Sequence, residues 1–264
     1  MNDIFTGVVL GIVEGLTEYI PVSSTGHLIL IGNFIKFTGP VADTFEIFIQ
    51  FGCILAVLVL YLKRFLGLFD FSRRDGFSGK PGILKITLAC IPAFIFGYLF
   101  HKQIKELLFS PRPVAWALIV GGLLMILVER VKPKVTALSL AQISPFKALL
   151  IGICQCLSLW PGMSRSGSTI MGGMIFGLDR KVAAEFSFIV AVPVMTAAVA
   201  HDLLKSISFL HQEQITLFAS GFLVSFVAGL GAIRLFLRLL SSVTLVPFAI
   251  YRIIVGGLVL WLAT

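Results

Sequence analysis

The chain has 264 residues, 58% of them hydrophobic and 13% charged, with a mean hydropathy of +1.01. Soluble globular chains carry about 25% charged residues, so a single water-soluble core is excluded and bilayer lipid must act as solvent. The net charge of +8 does not point to nucleic acid, because the basic residues fall in short clusters between apolar runs, where membrane topology accounts for them.

The N-terminus, Met1-Asn2-Asp3, is acidic, and Glu14 and Glu18 interrupt the first apolar stretch, so no cleaved signal peptide is expected. That stretch, residues 4–35, is broken at Pro21-Val22-Ser23-Ser24-Thr25-Gly26-His27. Three apolar runs long enough to cross a bilayer follow, at 45–62, 82–100 and 113–128. A second broken region, 146–178, is interrupted at 161–169, and three further runs lie at 186–204, 215–233 and 245–262. Irregular backbone at membrane depth is tolerated only where protein or a wet cavity satisfies it. Each broken region therefore reads as a re-entrant helical hairpin that leaves on the side it entered. The expected fold is all-α and polytopic, with six transmembrane helices plus two re-entrant hairpins.

The two broken regions resemble each other. A shift of 141 residues aligns 11–32 with 152–173 without a gap, and 7 of the 22 positions are identical, among them Ser23/Ser164, Gly26/Gly167 and Gly32/Gly173. Each hairpin precedes three spans, and an odd number of crossings places the second hairpin on the opposite face. One membrane domain, 1–264, is expected to hold an inverted-topology repeat with halves at about 1–130 and 145–264. Orientation follows from lysine and arginine. One side receives Lys63, Arg64, Arg73, Arg74, Lys80, Lys85, Arg130, Lys132, Lys134, Lys147, Arg180, Lys181, Arg234 and Arg238. The other receives Lys36, Lys102, Lys105, Arg112 and Lys205. Fourteen against five makes the first side cytoplasmic and puts both termini outside. The two broken tips can then meet near the midplane.

Glu14 and Glu18 stand four residues apart, so a helix puts both carboxylates on one face. In a low-dielectric site they repel unless a proton or cation lies between them. A hard divalent ion such as Mg²⁺, shared with substrate phosphate oxygens, meets that need; a helix end in water would also tolerate the pair, but its flanks are apolar. After Pro21 come Ser23, Ser24 and Thr25, then His27, which offer a nucleophile and a base within reach of each other; a serine-rich helix cap would look the same locally. The second cluster is Pro161-Gly162-Met163-Ser164-Arg165-Ser166-Gly167-Ser168-Thr169. Free N–H groups at a helix start, glycines that admit phosphate oxygens, and an arginine fork make an anion site. No acid near Arg165 in sequence partners it, so an anionic ligand or the first hairpin's glutamates must.

Other polar residues read as structural. Arg252, in mid-span, is expected to pair with Glu46 or Glu185; Gln50, Gln155 and Asn33 are expected to bond between helices. His101, His201 and His211 sit at span ends. Cys53, Cys90, Cys154 and Cys156 lie in apolar segments, and Cys154-Gln155-Cys156 lacks zinc spacing, so buried free thiols are expected.

The run Glu14-Gly-Leu-Thr-Glu18-Tyr-Ile-Pro-Val-Ser-Ser-Thr-Gly-His27, with Pro161-Gly-Met-Ser-Arg165-Ser-Gly-Ser-Thr169, resembles the bacterial undecaprenyl-diphosphate phosphatase family of the bacitracin-resistance type. Segments 45–57, 183–188 and 248–260 resemble it too, so the likeness spans the chain. Tyr19, Ile20 and Met163 stand where the family commonly shows other apolar or aromatic residues. The resemblance implies hydrolysis of undecaprenyl diphosphate to undecaprenyl phosphate and phosphate, which recycles the carrier for peptidoglycan and other wall polymers. It implies a divalent cation (Mg²⁺ by preference, with Ca²⁺ or Mn²⁺ left open). The setting implied is the outer face of the bacterial cytoplasmic membrane. Its catalytic glutamates fall on Glu14 and Glu18, which would hold the metal, its hydroxyl–histidine motif on Ser23, Ser24, Thr25 and His27, and its arginine on Arg165. Arg165 and the N–H groups from Ser164 to Thr169 would hold the transferred phosphoryl oxygens. Ser24, His27 or a water activated by His27 would attack. Expected partners are the polyprenyl diphosphate and membrane lipid, with no nucleic acid and a homodimer left open. An inverted repeat with broken helices is also how transporters are built, so lipid transport is the rival function.

Overall fold

The computed structural model describes residues 3–72, 76–206 and 214–262. Met1, Asn2, Arg73, Arg74 and His211, all used above, lie outside the described residues, as do the side chains of Lys105 and Lys205. In chain order the α-helices are α1 (Asp3–Thr17), α2 (Ser24–Phe34), α3 (Pro40–Leu60), α4 (Leu62–Leu68), α5 (Gly79–Leu99), α6 (His101–Leu108), α7 (Pro111–Val131), α8 (Pro145–Gln155), α9 (Arg165–Ile175), α10 (Arg180–Ser206), α11 (Ile215–Leu239) and α12 (Val246–Leu262). Among the described residues there is no named strand, only an isolated bridge between Ala137 and Leu178.

Five of these, α3, α5, α7, α10 and α11, are long and apolar enough to cross a membrane. At about 1.5 Å per residue, each reaches the roughly 30 Å of a hydrocarbon core. The sixth expected span, α12, has 17 residues, close to the lower limit. Several helices begin before the apolar run that announced them. Pro40, Pro111 and Pro145 stand in the first turns of α3, α7 and α8, where a fixed φ and a missing N–H cost nothing. Outward-facing Ile95, Phe96, Leu123, Leu127, Leu223 and Val227 are exposed in the isolated chain. Such a surface suits lipid and not water.

Inside, small residues set how closely helices approach. α1 lies along α11, α8 along α5, α3 against α10 and α7 against α12. A Cβ added at Gly11 of α1 would stand 2.6 Å from the Gly221 carbonyl of α11, and one at Gly152 of α8 would stand 2.5 Å from the Ala89 carbonyl of α5. Backbone-to-backbone packing of this kind is how helices associate when lipid removes the hydrophobic driving force. Gln155 adds the interhelical bond expected of it, from Nε2 to the Ala89 carbonyl at 3.3 Å. Asn33 does not; its side chain is exposed and donates to Ile29 of its own helix at 2.7 Å. At one end of the bundle Glu129 accepts from Arg180 and from the Leu245 amide, both at 2.8 Å, and so ties α7, α10 and the turn before α12. The four cysteines are free thiols, Cys53 and Cys90 buried, and the exposed rings of His101 and His201 meet at neighbouring helix ends.

The α1–α11 seam yields a direct test. Gly11→Val should push the helices apart and lower stability by about 1–3 kcal/mol, as overpacking does, read as a lower thermal midpoint in detergent. Gly231→Ala on α11, whose added Cβ meets nothing within 4 Å, should leave the midpoint unchanged or slightly raised.

Candidate active site

α1 stops at Thr17, whose hydroxyl turns back onto the Val13 carbonyl at 2.6 Å. Glu18 still donates its amide to Glu14 at 3.0 Å, so it completes the last turn, and Pro21 then prevents any continuation. Ser23 has φ of 74°, and in the second hairpin Ser164 has φ of 72°. Both are in left-handed backbone space that non-glycine residues enter at a cost of about 1–3 kcal/mol. Both cap the helix that follows: Ser23 Oγ accepts from the Gly26 amide at 3.4 Å and Ser164 Oγ from the Gly167 amide at 3.1 Å. The residues immediately after these caps are Ser24 and Arg165, the first residues of α2 and α9. Aligned positions of the two broken regions thus deliver a hydroxyl and a guanidinium to one place.

That place is a cavity of about 240 Å³ bordered by Glu18, Ser23, Ser24, Thr25, Ser164 and Arg165, together with Gln50, Ser158 and others. Ser24 Oγ donates to Glu18 Oε2 at 2.5 Å, and Arg165 Nη2 donates to Glu18 Oε1 at 2.8 Å. Arg165 Nη1 reaches the Ser187 carbonyl at 3.1 Å and its hydroxyl at 3.3 Å, while the guanidinium lies 5.6 Å from the centre of the Tyr19 ring. Tyr19 is itself fixed by its hydroxyl on the Cys53 carbonyl at 2.8 Å. One carboxylate thus orients a hydroxyl and is oriented by an arginine, which is the geometry of an activated nucleophile.

Several residues singled out from sequence do not border the cavity. Ser166 Oγ contacts Ser164 Oγ at 3.0 Å and the Ile20 carbonyl at 3.4 Å, so it joins the two hairpins to each other. Ser168 bonds back to the Ser164 carbonyl at 2.9 Å, and Thr169 to the Arg165 carbonyl at 2.9 Å and to Ser187 Oγ at 2.5 Å. The Gly167 amide is likewise taken, by Ser164 Oγ at 3.1 Å. His27 is also engaged away from the cavity: Nδ1 meets the Ser23 carbonyl at 2.8 Å, Nε2 the Tyr251 hydroxyl at 2.6 Å, and the two rings stack at 5.5 Å. A carbonyl only accepts, so Nδ1 carries the proton and, in the neutral ring, Nε2 accepts from Tyr251. Glu14 is fully buried and neither of its oxygens has a hydrogen-bond partner; the Cys53 thiol beside it is directed to the Ser225 carbonyl at 3.9 Å.

Arg252 corrects an expectation. It pairs with neither Glu46 nor Glu185. Glu185 lies 3.7 Å from Arg64 instead. The guanidinium of Arg252 is wholly buried and donates to carbonyls of Pro21, Ala117, Gly162 and Met163 at 2.9–3.3 Å. α12 lies on α7 at Gly121 and Gly122, which aims the side chain at the broken tips, where carbonyls have left their helices and need donors. Ser187 and Tyr251 escaped the sequence reading. Their only signals were a polar residue within an apolar run and proximity to a buried charge. Gln50, expected between helices, borders the cavity.

The residues also fit a hard cation of the Mg²⁺ kind. Among the described residues no group of three His, Cys, Asp or Glu could cage a metal. Mg²⁺, however, takes one or two carboxylates and completes its shell with water and phosphate oxygens. Glu18 borders the cavity, and one helical turn earlier the two oxygens of Glu14 are buried without a hydrogen-bond partner, orphaned acceptors that a cation or a proton would satisfy.

The family model described as "Bacitracin resistance protein BacA" matches residues 7–258. The chain belongs to this family. Proteins called undecaprenyl-diphosphatase from Desulfovibrio desulfuricans and Nitratidesulfovibrio vulgaris are each 50% identical over 259 residues, 98% of this chain and 98% of theirs. Another of that name, from Maridesulfovibrio salexigens, is 49% identical over 261 residues, 99% of either chain. Membership therefore covers both broken regions and all five long apolar helices.

The Glu18–Arg165 pair should show the energetics of a charge pair held mostly away from water. Glu18→Gln leaves the arginine without its carboxylate and should cost about 3 kcal/mol. Glu18→Gln with Arg165→Met should lose less than the two single losses added together. Thermal unfolding of the four proteins in one detergent checks this.

Proposed function

We propose that this protein hydrolyses undecaprenyl diphosphate to undecaprenyl phosphate and inorganic phosphate, the activity for which its relatives are named, and that it supports bacitracin resistance by doing so. The observation that carries the reading is the contact chain Ser24–Glu18–Arg165 at the edge of one cavity inside a bundle of apolar helices. Phosphoryl transfer asks a protein mainly for positioning and charge stabilisation, and these three side chains divide that work.

In the mechanism we favour, Arg165 turns its fork partly from Glu18 onto oxygens of the terminal phosphate, and Ser158, Gln50 and Thr25 complete the polar wall. Ser24 Oγ attacks the terminal phosphorus as Glu18 takes its proton. The bond from that phosphorus to the bridging oxygen breaks, and Glu18 passes the proton to the departing lipid monophosphate. Water then attacks the phosphoserine, with Glu18 accepting its proton; the phosphorus–Oγ bond breaks and the proton returns to Ser24. His27 keeps Ser23 in its left-handed turn and does not attack. Mg²⁺ on Glu18, supported by Glu14, would neutralise phosphate charge; Ca²⁺ or Mn²⁺ could serve the same purpose.

The setting we infer is the bacterial cytoplasmic membrane, with α12 as a sixth span, both termini outside and the cavity opening outward. Fourteen basic residues against five support that orientation. The two broken regions are read as re-entrant hairpins of an inverted repeat. Three observations support this: the shared serine caps, the equal 11-residue lengths of α2 and α9, and the reciprocal docking of α1 on α11 and α8 on α5.

Phosphate release from undecaprenyl or farnesyl diphosphate by the purified protein, with Mg²⁺ and with EDTA, tests the function. Metal-dependent release, lowered at least about 100-fold in folded Ser24→Ala, with phosphoserine trapped by quench in the wild type, is the expected outcome. Binding of the diphosphate lipid without release would replace the phosphatase with lipid transport.

A further inference from the structure

We propose that Tyr251 and Arg252, consecutive residues of α12 outside both motifs, form a single positioning unit that fixes the separation of the two hairpin tips, and with it the placement of Ser24 relative to Arg165. The inference rests on the catalytic reading above for its kinetic consequence, though its geometry stands without it.

Arg252 has no carboxylate among its hydrogen-bond partners. Its Nη1 donates to Pro21 O at 3.3 Å and its Nη2 to Gly162 O and Met163 O at 2.9 Å each. Pro21 and Gly162 are aligned positions of the two broken regions, and each lies three residues before the side chain that faces the cavity, Ser24 in one case and Arg165 in the other. One guanidinium therefore bridges the same point of both tips. The third anchor, the Ala117 carbonyl of α7 at 3.2 Å, fixes the bridge to a membrane-length helix. Tyr251 secures the far end of the first tip through His27, whose Nδ1 donates to the Ser23 carbonyl. The turn from Pro21 to Ser23 is thus gripped at both ends by neighbouring residues of one helix.

The chemistry of the contacts explains the residue type. Carbonyls that leave a helix at membrane depth have no water to bond, and several converge here from different elements. A planar fork with five fixed donors can serve them together; an ammonium with three rotating donors on a point charge cannot hold the same spacing. Room for the fork comes from Gly121, where an added Cβ would overlap Arg252 Nη2. Neither Tyr251 nor Arg252 borders the cavity, so they act through the tips and do not touch the reacting atoms.

Two variants separate the fork from the charge: Arg252→Lys keeps the charge and loses the fork, and Gly121→Ala keeps the arginine and displaces it. Both are compared with wild type after thermal unfolding confirms a folded protein. On farnesyl diphosphate, kcat should fall on the order of 100-fold in each, the scale of a misplaced reacting group, with KM changed far less. The second readout is independent of activity: spin labels at Thr25 and Ser158, in a protein whose native cysteines are serine, report the spread of tip-to-tip distances. A broader distribution in both variants is expected. An unchanged distribution in folded Arg252→Lys and Gly121→Ala overturns the proposal whatever the kinetics. Broadened tips in both variants, alongside a wild-type protein that releases no phosphate, would uphold the unit and remove the phosphatase reading instead.

Discussion

At membrane depth a backbone that leaves its helix has no water to bond, and every other feature of the site follows from how this chain meets that constraint. Two helices are interrupted in the middle of an apolar bundle, which frees N–H groups at the start of α2 and α9 and carbonyls at the ends of the loops before them. Side chains provide the partners. Ser23 and Ser164 accept from the helix starts, Ser166 reaches the Ile20 carbonyl, Trp160 donates to Pro113 at 3.0 Å, and Arg252 donates to the carbonyls of Pro21, Gly162 and Met163. The polar groups that make the interruptions tolerable also bring hydroxyls and a guanidinium to one cavity, so the site and the support of its backbone are the same set of residues.

Charge is distributed unevenly across that set. Arg165 and Glu18 balance each other at the cavity edge with side chains 11% and 10% exposed. Arg252 is balanced by dipoles alone, and the buried oxygens of Glu14 have no hydrogen-bond partner. A buried ion pair brings little stability over an apolar replacement, which argues that the pair is kept for what it does when an anion arrives. Under the mechanism proposed above, a diphosphate head would take over the arginine and leave the carboxylate for the serine, so that substrate itself would unlock the site.

Much of this was legible in the sequence, and the reasons differ by element. The long apolar runs announced α3, α5, α7, α10 and α11 because hydropathy alone selects membrane helices; the start of α11 fell at the expected residue, whereas α3 and α7 begin earlier at first-turn prolines and α10 at Arg180, all outside the apolar signal. Glu18, Ser24 and Arg165 were found because charges and hydroxyls are costly in such surroundings. Their partners were harder. His27 looked like a base by spacing, but its orientation depends on Tyr251, 224 residues away. Arg252 was assigned a carboxylate because charge suggests countercharge, whereas the freed carbonyls that hold it become visible only when the loops are placed. Ser166, Ser168 and Thr169 matched the composition of an anion site, yet their hydroxyls are engaged with Ile20, with the carbonyls of their own turn and with Ser187.

The docking of α1 on α11 bears on how the chain is made. α1 leaves the ribosome well ahead of α11, so the surface that its glycines fit is translated about two hundred residues later. Until then the small-residue stripe of α1, Gly7, Gly11 and Gly15, lacks the helix it fits, and the first hairpin cannot take its final place. Assembly must therefore close from the ends inward, with the last third of the sequence completing the environment of the first residues. The two halves cannot mature as separate folding units, because each supplies the bed on which the other's broken helix lies.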